Sequence, residues 1–183
     1  MNAIGSESSA PLQPGWIEHT QILLDSFRRW TGRELIPREG SHLEQALRLN
    51  EAPFVVVSHG VQADPILNYG NQVALALWEM PVEKLLQTPS RLTAEPMHRD
   101  ERAKLMERTT REGYVDDYRG IRISSSGRRF RIDQATVWNL IDATGRLVGQ
   151  AATFSEWRFL ENPAETDRQS GIWGNFSDSE KKT

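Results

Sequence analysis

Two amides, a hydroxyl group and an indole ring on two neighbouring predicted strands could form the floor of a small-molecule pocket. The register expected from the turn between these strands places the four side chains on one face, because alternate residues of a strand point to the same side. A buried amide needs hydrogen-bond partners, and a polar ligand could supply them. The same groups could instead bond to backbone atoms of covering helices, or face water if the register differs. The four candidates are Gln134, Thr136, Trp138 and Gln150.

Two further residues could complete this pocket from the opposite side. Trp78 lies on a predicted helix and could form the facing wall, although an aromatic residue at helical spacing also fits an ordinary core position. Arg91 lies in a loop, where it could bind the carboxylate or phosphate of a ligand. A pairing of Arg91 with Glu95 that pins the loop is the slightly favoured interpretation.

The sequence does not show the residue patterns that usually indicate catalysis. No His or Glu falls on the predicted inner strand face, so we expect no general acid or base there and assign no catalytic residue. The chain has neither a Gly-x-Ser-x-Gly motif nor a phosphate-binding glycine motif. A binding or interaction module is therefore expected. The alternatives are a small enzyme acting on an organic acid in the same cup, and a packed structural subunit without a ligand.

The sequence also gives no support for metal binding or thiol chemistry. The chain has no cysteine, which excludes disulfides, thiolate metal sites and cysteinyl-flavin photochemistry. No pair of histidines has helical metal-ligand spacing, so no metal site is predicted and the cofactor stays unknown. The four histidines are His19, His42, His59 and His98.

The charge is close to balanced but unevenly distributed. The formal net charge is −3, and the stretch 91–131 carries eleven basic and seven acidic residues. Because the arginines alternate with Asp and Glu, we expect a solvated, salt-bridged surface and no nucleic-acid partner. Arginines that flank a predicted tight turn are expected to be exposed on strand edges. They are Arg122, Arg128, Arg129 and Arg131.

The two ends of the chain differ from its middle. Residues 1–14 are small and polar and are predicted to be disordered. The polar tail 161–183 carries an isolated apolar group, Ile172, Trp173 and Phe176, that could dock on the domain or on a partner. No apolar run is long enough for a membrane span and no leader is visible, so we expect a soluble, cytoplasmic protein without membrane contact. Residues 15–160 form one predicted domain.

Hydrophobic periodicity predicts helices first and a three-stranded meander last. An apolar stripe marks the first helix, Trp16 to Trp30, and Ser41 with Glu44 forms a capping box for the second. The turn 142–145 favours a type I turn with a glycine bulge, which would place Trp138 opposite Gln150; a tighter turn would move the register by one residue. The predicted strands are 54–60, 66–69, 114–124, 130–141 and 147–157; the further helices are 72–80, 81–86 and 97–113.

This order of elements resembles the PAS fold. The strings ILNYGN at 66–71, PVEKLL at 81–86 and HRDER at 98–102 are similar to PAS segments in the same order. The resemblance implies an α+β fold, with a five-stranded antiparallel sheet, helices over one face and an N-terminal flanking helix. Such flanking helices often pair two protomers, so the helix Trp16 to Trp30 is expected to form a homodimer or contact a protein partner. Haem bound through His98 is disfavoured, because that string is also typical of PAS domains without haem.

A narrower resemblance is to the MEKHLA domain, a PAS-related family. It rests on segments that together span roughly Trp16 to Trp157: APFVVVSHG at 52–60, DPILNYGN at 64–71, LWEM at 77–80, PSRLTAEP at 89–96, GIRISSSGRRF at 120–130 and ATVWNL at 135–140. The chain is identified as a free-standing bacterial type, since it shows no homeodomain and no leucine-zipper heptads. This resemblance implies a sensory or protein-interaction module with a possible small ligand between sheet and helices, and it carries over no catalytic residue or cofactor.

Overall fold

The computed structural model describes residues 12–95 and 99–160. His98, the N-terminal segment 1–11 and the tail 161–183, which includes Ile172, Trp173 and Phe176, lie outside the described residues, and so do the predictions made for them. Leu12, inside the segment predicted to be disordered, packs against the hydrophobic core. The elements are α1 (Trp16–Thr31), α2 (His42–Asn50), β1 (Val55–His59), β2 (Leu67–Gly70), α3 (Gln72–Trp78), α4 (Val82–Leu85), a 3-10 turn (Ser90–Thr93), α5 (Arg99–Glu112), β3 (Tyr114–Ile123), β4 (Arg129–Ile141), β5 (Leu147–Phe154) and β6 (Trp157–Phe159).

Local signals explain where several helices begin and end. The predicted capping box is present: the Ser41 hydroxyl accepts from the Glu44 amide, and the Glu44 carboxylate accepts from the Ser41 amide. Asn71 caps α3 in the same way, since its side chain accepts from the Ala74 amide. Gly113 follows α5 with φ 89°, and a Cβ there would come within 2.4 Å of the Trp30 ring. Both facts require glycine at this point.

The sheet is antiparallel, with the strand order β2-β1-β5-β4-β3. The short strand β6 pairs with β4, and its register continues that of β5. The predicted strand 147–157 is therefore one strand interrupted at Ser155 and Glu156. The predicted α+β architecture, an antiparallel sheet with covering helices and an N-terminal helix, is confirmed.

The predicted register between β4 and β5 is wrong by one residue. Trp138 lies opposite Ala151, and Gln150 lies opposite Asn139. The turn itself has the expected glycine in the left-handed region, Gly145 at φ 83°. A β-bulge lies next to this turn. Ile141 pairs with Leu147, but the next residue of β4, Leu140, pairs with Gly149, so β5 has one extra residue. This bulge puts Gln150 and Trp138 on opposite faces of the sheet.

The sheet is covered on both faces. Helix α1 lies on one face, which we call the α1 face, where Leu23, Leu24 and Phe27 pack on Trp138 and Leu140. Helix α3 lies on the other face, the cavity face, where Leu77 and Trp78 pack on Phe130, Ile132 and Phe154. Each face has its own hydrophobic cluster, and the sheet separates the two.

The apolar stripe of α1 is used within the chain. Its buried residues contact the sheet, and its exposed residues are charged, including Glu18, Asp25 and Arg29. A homodimer through this helix would therefore have to use the charged outer side. In the described part of the chain, no helix has the length and apolar character needed to cross a membrane.

Candidate ligand-binding site

A cavity of about 80 Å³ lies on the cavity face, between the sheet and the covering helices. Strands β1, β3, β4 and β5 form its floor, while α3, the 3-10 turn and α5 form its walls. Polar and aromatic groups interrupt an otherwise apolar lining. These groups are Ser58, His59, Trp78, Ser90, Thr93, Tyr118, Arg122 and Gln150.

Arg122 on β3 brings a buried positive charge to this cavity. Only 7% of the residue is exposed, so the expectation that Arg122 lies exposed on a strand edge is wrong. Its guanidinium donates to the Ile121 carbonyl at 2.9 Å and stacks over the Tyr118 ring at 5.1 Å. Burial lowers the pKa of Arg122, while the Tyr118 hydroxyl and the charge of Glu101 act in the opposite direction. Within residues 12–95 and 99–160 no carboxylate lines the cavity, and Glu101 is exposed on α5.

Trp78 contributes an unused hydrogen-bond donor. The residue is 4% exposed, and its ring meets the Phe130 and Phe154 rings edge to face, with centroids 5.4 and 6.2 Å apart. Its Nε1 atom is buried without a hydrogen-bond partner. Because an unpaired buried N–H is costly, this atom marks a position where a ligand acceptor would be stabilised.

Gln150 contributes an unused acceptor. Its Nε2 group donates to the Met106 carbonyl at 3.0 Å, the Thr110 hydroxyl at 2.9 Å and Asn139 Oδ1 at 3.0 Å. Its Oε1 atom is buried and has no hydrogen-bond partner. The Gln150 side chain therefore connects the sheet to α5 through its Nε2 group, and it keeps an unused buried acceptor on a residue that lines the cavity.

Asn139 reinforces this connection. Its Nδ2 group donates to the Thr109 and Thr110 carbonyls at 3.0 and 3.3 Å, near the C-terminal end of α5. The Thr109 carbonyl also accepts from the Gly113 amide at 2.8 Å, so the Asn139 amide adds hydrogen bonds from the sheet to this end of the helix. The sequence offers no reason to select Asn139, because the predicted register places it on the opposite face from Gln150.

Three of the predicted pocket residues lie away from the cavity. Trp138 is fully buried on the α1 face, where its Nε1 atom donates to the Leu23 carbonyl at 3.3 Å. Thr136 and Gln134 lie beside a shallow groove that also involves Phe27 of α1. Gln134 is exposed and donates to the Asp116 carbonyl at 3.2 Å. The expectation that these three share a face with Gln150 is wrong, because of the bulge on β5.

Arg91 lies outside the cavity, at a neighbouring open groove. Its Nε atom pairs with the Asp64 carboxylate at 3.0 Å, so the expected pairing with Glu95 is wrong. Glu95 instead pairs with Arg129 at 2.9 Å. The groove shares His59, Met106 and Gln150 with the cavity, so the two are adjacent. Arg91 is therefore placed beside the cavity and not in its wall.

His59 at the end of β1 lines both the cavity and the groove. The expectation that no histidine falls on the inner strand face is wrong at this position. Its Nδ1 atom lies 2.8 Å from the Gly60 carbonyl, which fits the structural role in the hairpin that its place at the strand end suggests. Among the described residues, no group of three or more His, Asp or Glu side chains could hold a metal ion.

The C-terminal end of α3 is fastened to the turn between β3 and β4. Glu79, directly after Trp78, has φ 54°, in the left-handed region. Its carboxylate accepts from the Ser124 hydroxyl at 2.6 Å and from the Ser126 hydroxyl. Ser125 completes the connection, since its amide donates to the Trp78 carbonyl at 2.9 Å and its hydroxyl to the Glu79 carbonyl at 2.6 Å. We call this the Glu79 clamp; these hydroxyl donors lower the pKa of Glu79.

Sequence reasoning missed Arg122 for a physical reason. The neighbours Ile121 and Ile123 suggest that the other face of this strand is the buried one. Irregularities in the pairing of β3 with β4, between Val115 and Gly120, change which residues face inward. No local signal in the sequence identifies that change.

Comparison with protein families and structures gives a consistent result. The MEKHLA domain model matches residues 17–159. No match was found among curated proteins. A PAS domain from Colwellia psychrerythraea is 13% identical, with a TM-score of 0.54 over 64% of this chain and 95% of that one.

Two light-oxygen-voltage proteins are similar in structure. A light-oxygen-voltage domain studied with a flavin analogue is 15% identical, with a TM-score of 0.50 over 71% of this chain and 93% of that one. An RNA-binding light-oxygen-voltage receptor is 17% identical, with a TM-score of 0.52; the match covers 74% of this chain and 38% of the receptor. At these identities the likeness shows a shared PAS-like fold and nothing about ligands.

Proposed function

The chain belongs to the MEKHLA domain family and has a PAS-like fold, and on this basis we propose that it is a non-catalytic sensory module that binds a small molecule on the cavity face of its sheet. The observation that carries the proposal is the cavity itself. It combines a buried guanidinium, an unpaired donor and an unpaired acceptor in an apolar lining. Such convergent polar groups in an apolar cavity are typical of ligand sites.

The cavity size favours a ligand of only a few non-hydrogen atoms. At about 80 Å³ the cavity is well below the ~300 Å³ at which pockets for drug-sized ligands begin. It is also smaller than the roughly 150 Å³ of an engineered protein cavity that takes up benzene. A flavin or haem would require the covering helices to move outward, so we propose a smaller ligand.

Two connections would carry a signal from the cavity to the surface. Trp78 lines the cavity, and the Glu79 clamp joins the adjacent residue to the turn between β3 and β4. Gln150 also lines the cavity and holds α5. A ligand that repositions either side chain would shift a surface element, which is what a sensor requires.

The lining argues for binding over catalysis. Its ionisable groups are Arg122, Tyr118 and His59, and it contains no carboxylate. A small enzyme acting on an organic acid would need a general acid or base next to the substrate, and among the described lining residues His59 is the imidazole available for that role. The absence of turnover with an acid that binds would support the sensory function; turnover that is lost in His59→Gln would contradict it.

We further propose that protein contacts are made through the charged outer side of α1. Asp25 and Arg38 pair across this side at 3.0 Å, and Arg28 pairs with Glu34 at 3.1 Å. Because the apolar stripe of α1 is already buried, a second copy would be held by charges, and the interaction would weaken with salt. Light scattering of the whole chain at low and high salt, with Arg29→Glu as the variant, tests this; a monomer under all conditions would exclude the dimer.

Nucleic acid is not part of the proposed function. Several arginines on the surface are paired with acids, as in Arg108 with Asp117 at 3.1 Å and Arg158 with Asp133 at 2.9 Å. Such pairing leaves little uncompensated positive charge for phosphates. Tight binding of RNA that falls steeply with salt would overturn this part of the proposal.

The central experiment combines native mass spectrometry of the freshly purified protein with thermal-shift screening of small molecules. The variant Ala135→Leu fills the cavity, since Ala135 is 2% exposed and lines it. Ala143→Leu, on an exposed turn, is the matched control. We expect a ligand that raises the melting temperature of the native chain and of Ala143→Leu but not of Ala135→Leu. A ligand that stabilises all three equally would show that binding takes place elsewhere.

A further inference from the structure

We propose that the ligand of this cavity is a small hydroxycarboxylate of two to four carbons, with its carboxylate on Arg122 and its hydroxyl group bonded to Gln150. This inference rests on the proposed function, and it adds the chemical class of the ligand. It follows from three side chains, each at least nine-tenths buried, that line one cavity: Arg122, Trp78 and Gln150, which are 7, 4 and 5% exposed.

The charge of the lining requires an anion. Arg122 brings a guanidinium to a cavity whose lining, as far as the described residues form it, contains no carboxylate. The opposing charge of Glu101 reaches it from an exposed position on α5, outside the lining. A buried guanidinium is stabilised best by a planar group that accepts two parallel hydrogen bonds, and a carboxylate is the smallest such group.

The two unpaired atoms define the rest of the ligand. Trp78 Nε1 is a donor without an acceptor, and Gln150 Oε1 is an acceptor without a donor. A carboxylate alone can accept from Trp78 but cannot donate to Gln150. A hydroxyl group next to the carboxylate can donate to Gln150 Oε1, so one small molecule satisfies all three groups.

The cavity volume limits the carbon chain. About 80 Å³ suits a molecule of the size of glycolate or lactate, and the apolar lining from β4 and β5, including Ala135 and Ala152, suits a short methyl or methylene group. A dicarboxylate would bury a second charge without a partner, which is strongly unfavourable.

The test compares four probes by calorimetry and by the indole Nε1–H resonance of Trp78. The probes are racemic lactate, propionate, lactamide and the neutral 1,2-propanediol. Lactate is expected to bind, to shift the Trp78 indole resonance downfield and to bind at least tenfold more tightly than either propionate or lactamide, because each of these lacks one of the two bonds. Trp78→Phe assigns the resonance among the six tryptophans.

Variants separate the two recognition groups. Arg122→Met is expected to reduce lactate affinity at least thirtyfold, and Arg122→Lys less, because it keeps the charge but loses the two-pronged geometry. Gln150→Met is expected to bring the lactate-to-propionate affinity ratio close to one. Arg91→Gln, beside the cavity, is the control and is expected to change affinity less than twofold. Circular dichroism and melting curves establish that each variant is folded.

The outcomes distinguish this inference from the proposed function. Equal affinity of lactate for the native chain and Arg122→Met would overturn the inference, as would lactamide binding as tightly as lactate. If only 1,2-propanediol binds, and Ala135→Leu abolishes that binding, the cavity is a ligand site but not one for acids. If no probe binds and no ligand copurifies, both the inference and the proposed function fail.

Discussion

The tryptophans on the two faces of the sheet differ in what their indole N–H groups do. On the α1 face, Trp16, Trp30 and Trp138 each donate to a backbone carbonyl, at 3.0, 2.9 and 3.3 Å. On the cavity face, Trp78 is as buried as Trp16, but its Nε1 atom has no hydrogen-bond partner in the described part of the chain. The indole donors on the α1 face are satisfied within the chain, although the hydroxyl groups of Thr20 and Tyr69 on that face are buried without a partner among the described residues; on the cavity face it is an indole donor that is left over.

This difference assigns separate tasks to the two faces. Leu23 and Leu24 are fully buried against Trp138, and such a packed interface provides stability. Across the sheet, Arg122 is buried at a cavity, where its charge is poorly solvated. Binding sites often carry such groups at the expense of stability. Four predictions test this division, from the largest expected effect to the smallest.

Trp138→Ala should lower the free energy of unfolding by about 3–5 kcal/mol, because it removes the largest fully buried side chain of the α1 face together with its bond to Leu23. Chemical denaturation measures this loss. Phe159→Ala on the partly exposed strand β6 is the control, and its loss should stay near ~1 kcal/mol. Equal losses in the two variants would contradict the view that the α1 face is the main source of stability.

Acid should destabilise the α1 face through His19. Burial lowers the pKa of His19 to about 4, and its Nε2 atom lies 2.9 Å from the Ser58 hydroxyl. The unfolded chain takes up this proton near its ordinary pKa of about 6.5. The contribution of neutral His19 to the free energy of unfolding is therefore fully present above pH 6.5. The free energy of unfolding should fall by up to about 3 kcal/mol as the pH drops to 4.

Denaturation curves between pH 4 and 7 measure this effect of His19. His19→Gln should flatten the dependence, while His42→Gln, on an exposed residue, should leave it unchanged. A hydrogen bond from the Thr144 hydroxyl lowers the pKa of Asp142 to about 2, so this carboxylate titrates below the window. A slope that persists in His19→Gln would assign the acid sensitivity to another group.

Arg122→Met should leave the unfolding free energy unchanged or raise it by up to about 2 kcal/mol without ligand, because a buried charge is replaced by an apolar side chain of similar length. Arg131→Met, on an exposed strand position, should change stability by less than about 1 kcal/mol. If Arg122→Met lost more than about 3 kcal/mol of unfolding free energy, the guanidinium would be a structural group. That result would contradict the proposed difference between the two faces.

The smallest effect is a difference between two conservative changes. Trp138→Phe removes an indole donor that is bonded to Leu23, and Trp78→Phe removes one without a partner. Both variants reduce the ring by a similar amount. The loss of unfolding free energy should therefore be about 1 kcal/mol larger in Trp138→Phe than in Trp78→Phe. Equal losses in paired denaturation experiments would mean that Trp78 finds a partner in solution, most simply water.

The elements of the fold could be predicted from local signals. The capping box at Ser41, the glycines after α1 and α5, and the alternation of strands and turns depend on residues close in sequence. The candidate site could be predicted only in part. Trp78 and Gln150 do line the cavity. Arg122 was expected on an exposed strand edge and Asn139 was not selected, because alternate residues of a strand face opposite sides and a single bulge exchanges the two sides.

The order of helices and strands, the family resemblance and the exclusion of thiol chemistry follow from residue types and short spacings in the chain. The face that each strand residue occupies depends on how the strands pair in the folded protein. The bulge on β5 sends Trp138 to the α1 face and Gln150 to the cavity, and the irregular pairing of β3 buries Arg122 beside it. Long-range strand pairing sets these positions, and no local pattern encodes them.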